Sequence, residues 1–362
     1  MHKYGSLLVA ISLLVAPLTA CESSNSTNTG TTSSGENSTA AKGGTGQSRL
    51  DIVKQRGKLI CGVDGKIPGF SFVNESGQYS GLDVDVCKAV AAAVFGDPNA
   101  VEYRNLDSTE RFEALKSGEV DMLSRNTTWT ISRDTSVGLE FAPTTFYDGQ
   151  GMMVRQDSGI TKLEDLAGKA VCVEAGTTTE LNLTDALRQR NVKAETVTFQ
   201  QADPAYAAYV EGRCQGMTSD KSQLVARRST LPNPDDHILL DVTMSKEPLG
   251  PVTVNNDSAW FDVVKWTTYA LIDAEELGIN QGNVDQLKTS DNPNIKRFLG
   301  TEGDLGKGAG LSNDFAANAV KAVGNYGEVY ERNLGQGSQF KLPRGQNALW
   351  TNGGLMYSPP LR

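Results

Sequence analysis

The segment LSRNTTWTISRD, Leu123 to Asp134, leaves an apolar strand-like run, crosses a threonine-rich stretch and delivers Arg133 into what reads as the first turn of a helix capped by Thr130. A cation in that place opposes the helix dipole. An anionic ligand group would resolve the conflict, because Arg133 can hold it through two parallel hydrogen bonds while free amides near Thr128 supply the rest. Pairing of Arg133 with the adjacent Asp134 is the competing reading. A second segment, GMTSDKS, ends a strand at Asp220, whose carboxylate would suit an ammonium group; capping of the following helix is its simpler role. In a third, EAGTTTE, Gly176 permits a tight turn while Thr177, Thr178 and Thr179 offer hydroxyls and amides at another helix start.

A fixed cation on one wall of a cleft and a fixed anion on the other fit a zwitterion, and an α-amino acid headgroup answers that description. Other chemistries find less support. The chain has 2 histidines, His2 and His237, so imidazole catalysis and multi-histidine metal sites are set aside. Neither the nucleophile-elbow, the phosphate-loop nor the dinucleotide-binding spacing of glycines is present; GDLGKGAG, Gly303 to Gly310, misses all of them. No cofactor or metal is expected. A net charge of -9, from 34 Lys+Arg against 43 Asp+Glu, argues against a nucleic-acid partner. A catalyst on the same scaffold, such as a dehydratase, would have to use Asp64, Glu174 or Asp220 as its acid or base.

The elements that must position these residues alternate. KLICGVDG reads as a buried strand at Leu59 to Val63, FSFVNESGQYSGLDV as a hairpin-like excursion, and DVDVCKAVAAAVFG as a helix stopped by Gly96. A strand, a helix and a further strand follow, and the pattern restarts at KAVCVEAG. The stretches FEALKSGEVDML and YAAYVEGRCQGM echo one another: each is a helix that reaches a glycine, Gly118 or Gly212, and then enters a strand. The expectation is an α/β protein of two similar lobes, each a mainly parallel sheet flanked by helices, with the cleft beyond the strands' carboxyl ends. Residues 49–148 plus 245–362 would form the first lobe and 149–244 the second. Two hinge crossovers, near Thr145–Val154 and Ile238–Gly250, would join them. The aromatic residues of SAWFDVVKWTTYALIDAEELG read as helix packing.

The amino-terminal run MHKYGSLLVAISLLVAPLTAC has the layout of a signal peptide over residues 1–20, and its last four residues resemble a lipobox that would lipidate Cys21. Residues 21–48 are rich in Ser, Thr and Gly and read as a flexible tether. Cys61, Cys87, Cys172 and Cys214 remain. They allow three disulfide pairings, of which pairing within each lobe leaves the lobes free to move; four buried free thiols are the alternative.

The segments LICGVDGKIPGFSF, GLDVDVCKAVAAAVFGDP, ERFEALKSGEVDMLSRNTTWTISRDT, FYDGQGMMVR, VCVEAGTTTELNL, LPNPDDH, SKEPLGPV, AEELGI and ALWTNGGLMYSPPLR together resemble the general L-amino-acid binding proteins of polar amino acid ABC transporters, over essentially Leu50 to Arg362. The resemblance implies a two-lobed type II periplasmic binding protein, a monomer without catalytic activity, that closes on a free L-amino acid and delivers it to a permease and ATPase pair. It implies that Arg133, Asn126, Thr128 and Thr178 hold the ligand carboxylate and Asp220 the ammonium. Asp64, Phe70 and Arg125 are the candidates for the side-chain pocket, acidic and polar neutral amino acids the expected ligands, and the periplasm, at the end of a lipid anchor, the expected location. RCQG departs from the family pattern at Gln215 and Gly216.

Overall fold

The computed structural model describes residues 47–362; the expected signal peptide, Cys21 and all but the end of the tether lie outside the described residues. Two five-stranded sheets organise the chain. The first runs in the order Val101–Asn105, Leu59–Val63, Met122–Leu123, Val252–Val254, Leu139–Phe141; the second in the order Glu195–Phe199, Ala170–Glu174, Gly216–Asp220, Gln150–Arg155, His237–Leu239. The two sheets have the same topology, as the helix-glycine-strand echo implies.

In each sheet the first three strands in that order are parallel, and the fourth pairs antiparallel with both of its neighbours, so the fifth again runs with the first three. Four of the five strands in each sheet thus run in one direction, the mainly parallel arrangement that the alternation of elements predicts, with one reversed strand inserted. The antiparallel strands Val252–Val254 and Gln150–Arg155 are those that enter a sheet from the opposite half of the fold, so no crossover helix sets their direction.

The helix Leu82–Phe95 is apolar on nearly every side because it is covered on every side: it packs on the first sheet and beneath the helices Phe315–Val323 and Ser258–Glu276. Its alanines, Ala89 and Ala91 to Ala93, are at most 1% exposed and let the neighbouring helices approach closely. Gly81 before it has a φ of 126°, and a Cβ there would lie 2.1 Å from the Phe70 carbonyl oxygen, so only glycine fits.

Two disulfides, Cys61–Cys87 and Cys172–Cys214, each tie a central strand to a neighbouring segment of its own half. With sequence separations of 26 and 42 residues, loop-closure entropy assigns them about 3.5 and about 4 kcal/mol. The halves are joined by an antiparallel ladder of Phe146–Asp148 with Glu247–Leu249, in which Asp148 lies opposite Glu247. The carboxyl-terminal region braces this hinge. The Tyr326 hydroxyl donates to the Thr145 carbonyl at 2.8 Å, and the Asn347 side chain accepts from the Tyr147 amide at 2.6 Å and donates to its carbonyl at 3.2 Å.

Candidate functional site

The carboxyl ends of both sheets open on one narrow cleft, with room of about 30 Å³ for a water-sized sphere. Arg125, Asn126, Thr128 and Arg133 line it from the first half, Thr177 to Thr179 and Asp220 from the second.

Arg133 does not begin an α-helix. Ser132–Ser136 is one wide π turn, and the Thr130 hydroxyl accepts from the Arg133 amide at 3.3 Å. The guanidinium is buried, donates through Nη1 to the Thr128 carbonyl at 2.8 Å and lies over the Phe112 ring at 5.2 Å. Burial pulls its pKa down to about 10, while the negative charges of Glu247 and Asp220 work to keep it protonated. Asp134 is not its partner; that carboxylate accepts from the Trp129 indole at 2.8 Å.

Asn126 stands in the left-handed region with φ 46°, its amide donating to Asp83 at 3.2 Å. This conformation directs its side chain to the cleft, where both amide atoms are buried without a partner among the described residues. Behind it, burial lifts Asp83 to about 7 against the hydrogen bonds from Asn126 and Ser124.

On the opposite wall, Asp220 ends the strand Gly216–Asp220 and occupies the N-cap position of the helix Lys221–Arg228, yet its side chain makes no capping bond. Its Oδ1 is buried and unpartnered among the described residues. Burial, then Asp148 and Glu247, push its pKa well above the carboxylate range, and Arg133 and Arg111 pull the other way. Asp148, raised by burial to about 6, accepts from both the amide and the hydroxyl of Ser222. The helix Thr178–Gln189 is capped by Thr177, whose hydroxyl accepts from the Glu180 amide at 3.1 Å. Thr178 Oγ1 then comes within 3.3 Å of Thr128 Oγ1, a contact between the two halves.

The side-chain end of the cleft differs most from expectation. Phe70 is 1% exposed and packs edge-on against Phe146, with ring centroids 5.2 Å apart, in the core beneath the hinge; it does not line the cleft. Asp64 also stands back from the lining, as the ion-pair partner of Arg125, which takes a further hydrogen bond to Ser108 Oγ at 3.1 Å. Arg111, absent from the sequence reading, lines the cleft instead. It is 2% exposed, its Nε has no partner among the described residues, and its guanidinium lies 4.7 Å from the Phe112 ring centre. Burial and then the charges of Arg125 and Arg133 push its pKa well below the usual value. The signal that could have found it is the one that marks Arg133: a cation at the first position of a helix, here Arg111–Ser117, where the dipole disfavours it.

A buried arginine and a buried aspartate thus line one cleft at the carboxyl ends of two sheets of equal topology. The family model of the bacterial extracellular solute-binding proteins, family 3, matches residues 59–289. The chain belongs to this family. A general L-amino acid-binding periplasmic protein of Rhizobium johnstonii, AapJ, is 54% identical over 315 residues, 86% of this chain and 92% of that protein. A glutamate/glutamine/aspartate/asparagine-binding protein of Rhodobacter capsulatus, BztA, is 49% identical over 321 residues, 88% of this chain and 95% of that protein. Among solved structures, an ABC transporter periplasmic binding protein from Brucella ovis with glutathione bound superposes with a TM-score of 0.85 at 50% identity, covering 88% of this chain and all of that one. The two-sheet architecture is thus the type II periplasmic binding protein fold. No helix among the described residues is long and apolar enough to cross a membrane.

One rim of this solute-binding protein's cleft is closed by polar contacts that need no ligand. Gln201 donates to Asp107 at 2.7 Å, Arg227 donates to the Lys66 carbonyl at 3.0 Å and also pairs with Asp203, and the Lys66 ammonium lies 3.7 Å from Asp203. Lys66 and Asp107 belong to the half that carries the first sheet; Gln201, Asp203 and Arg227 belong to the other.

Proposed function

We propose that the cleft binds free L-amino acids as zwitterions, with acidic side chains favoured and polar neutral ones accepted, and that the loaded protein serves the permease and ATPase of an ABC transporter. The observation that carries this reading is the opposition of the buried Arg133 guanidinium to the buried, unpartnered Asp220 carboxylate. The ligand carboxylate meets Arg133 and the free amides at the start of Thr178–Gln189; Asn126 and Thr128 complete that end, and the ammonium meets Asp220. Arg111 supports the acidic preference, since a buried arginine facing the cleft with an unfilled donor is relieved by a side-chain carboxylate. The names of AapJ and BztA support the same ligand class.

In this reading residues 49–148 plus 245–362 and residues 149–244 are the moving lobes, residues 1–20 are a signal peptide, and Cys21 carries the lipid that holds a monomer at the membrane. Catalysis is not part of it: Asp64 is committed to Arg125, and Asp220 is where an ammonium binds.

Calorimetric titration with the common amino acids tests the proposal. Micromolar binding corresponds to about -8 kcal/mol, and the expected pattern is binding of several amino acids, glutamate and aspartate among the tightest, each recovered chemically unchanged. Glutathione belongs in the panel, because its γ-glutamyl end bears the same headgroup and the Brucella ovis protein holds it. Folded protein that binds no amino acid would overturn the function.

A further inference from the structure

Glu247 sits in the returning hinge strand Glu247–Leu249 and is 1% exposed, yet it is not part of the cleft lining. It reaches the cleft through its partners. The Thr178 hydroxyl donates to Oε2 at 2.8 Å, the Asn182 amide donates to Oε1 at 2.8 Å from one turn further along the same helix, and the Ser245 hydroxyl bonds to Oε1 as well. No arginine or lysine among the described residues forms a salt bridge with it. A buried carboxylate without an ion-pair partner needs another reason to be there. Its field points at the clamp: of the carboxylates that act on Arg133, Glu247 acts most strongly and Asp220 next.

Two carboxylates, Glu247 and Asp220, thus act on Arg133, with Asp148 directly opposite Glu247 in the hinge ladder. The two are not equivalent. Asp220 has an unpartnered oxygen and can take up a proton, which removes its repulsion toward an incoming anion. Glu247 has both oxygens held by hydrogen-bonding groups, which fix its place. A ligand that offers only carboxylates can satisfy Arg133 and Arg111 but brings no cation to the side of the cleft where Asp220 and Glu247 lie. A zwitterion brings an ammonium there.

Resting on the zwitterion reading above, we propose that Glu247 is a selectivity residue, acting one hydrogen bond behind the clamp, that makes the α-ammonium obligatory and excludes dicarboxylates. Glutarate, which is L-glutamate without its ammonium, is the probe. The affinities of both compounds are measured by calorimetry, with displacement for weak binding, on the wild type, Glu247→Gln and Glu247→Asp, each checked for folding by its thermal unfolding.

Glu247→Gln removes the charge at nearly constant shape. Glutamate binding should weaken several-fold and glutarate binding should strengthen, narrowing the ratio of the two by about tenfold or more. Glu247→Asp keeps the charge but shortens the reach to Thr178, so glutarate must stay excluded whatever happens to glutamate; this arm decides the matter if Glu247→Gln does not fold. The inference is overturned if Glu247→Gln shifts both ligands by one factor, if glutarate remains undetectable while glutamate weakens, or if Glu247→Asp admits glutarate. Failure of the zwitterion reading is separate: it shows in the wild type, as no amino-acid binding, and takes this inference with it.

Discussion

Lowering the pH should weaken amino-acid binding through Asp220, and the size of the effect follows from the cleft. Asp220 is buried, its Oδ1 has no partner among the described residues, and Asp148 and Glu247 add negative charge beside it. In the empty cleft its acid form persists at pH values where an ordinary aspartate is ionised. A ligand ammonium at Oδ1 favours the carboxylate, so the pKa in the complex lies below that in the empty protein. The empty state thus holds the proton more tightly, binding releases it, and affinity falls as the pH drops through the empty-cleft pKa. For one linked proton the limiting slope is about tenfold, or 1.4 kcal/mol, per pH unit. Asp148, at about 6, titrates nearby, so Asp220→Asn is needed to isolate the contribution. The assay is calorimetry at fixed pH in buffers of different ionisation enthalpy, where the dependence of the observed heat on the buffer counts protons. Up to one proton released by the wild type, and markedly fewer by Asp220→Asn, is expected. Heats independent of buffer at every pH where an ordinary aspartate is ionised and the protein stays folded, or net proton uptake, would refute the reasoning.

Two further outcomes can be checked on the same samples. Arg133→Ala leaves the ligand carboxylate buried without its main donor and should cost at least ~2 kcal/mol in binding, roughly thirtyfold in Kd; unchanged affinity would remove Arg133 from the site. Asp203→Asn deprives Lys66 and Arg227 of a shared partner on the closing rim. Because that partner is half exposed, the loss should be only about two- to fivefold, equal for glutamate and glutamine, and the variant's affinity should respond less to salt than the wild type's. An altered ratio between the two ligands would mean that the rim contacts the ligand directly.

The framework is legible in the sequence where local rules decide it. Leu59–Val63 is a short apolar run bounded by a glycine turn, and Gly96 ends its helix in the left-handed conformation the pattern calls for, with φ 72°. Leu139–Phe141 and Val252–Val254 are three residues each, too short for a period to show, and their pairing is settled by partners far along the chain. The same division runs through the site. Arg133 and Asp220 announce themselves as charges at the ends of apolar segments. Phe70 does not reveal which side of its turn is core, because the ring it packs against belongs to the hinge strand. Arg111 carries the same signal as Arg133, a cation at the first position of a helix, but the pattern does not say whether that end is buried. Glu247, beside Pro248 in SKEPLG, has no local signal at all; its meaning comes from Thr178 and Asn182, reached across the fold.

The indole of Trp129 gives the protein a built-in optical gauge. The chain has 4 tryptophans. Trp260 is enclosed and donates to the Asp121 carbonyl, Trp266 lies on the same helix, and Trp350 donates to Glu276 near the carboxyl terminus, all of them away from the cleft lining. Trp129 alone adjoins the cleft: it follows Thr128, is 47% exposed, and is held by Asp134 on the segment that carries Arg133. Residues 149–244 contain no tryptophan, and the part of a ligand-induced emission change that Trp129→Phe abolishes reports on Trp129 and its surroundings. A stopped-flow trace of unlabelled protein, with Trp129→Phe as the dark reference, would then time the capture and release of ligand.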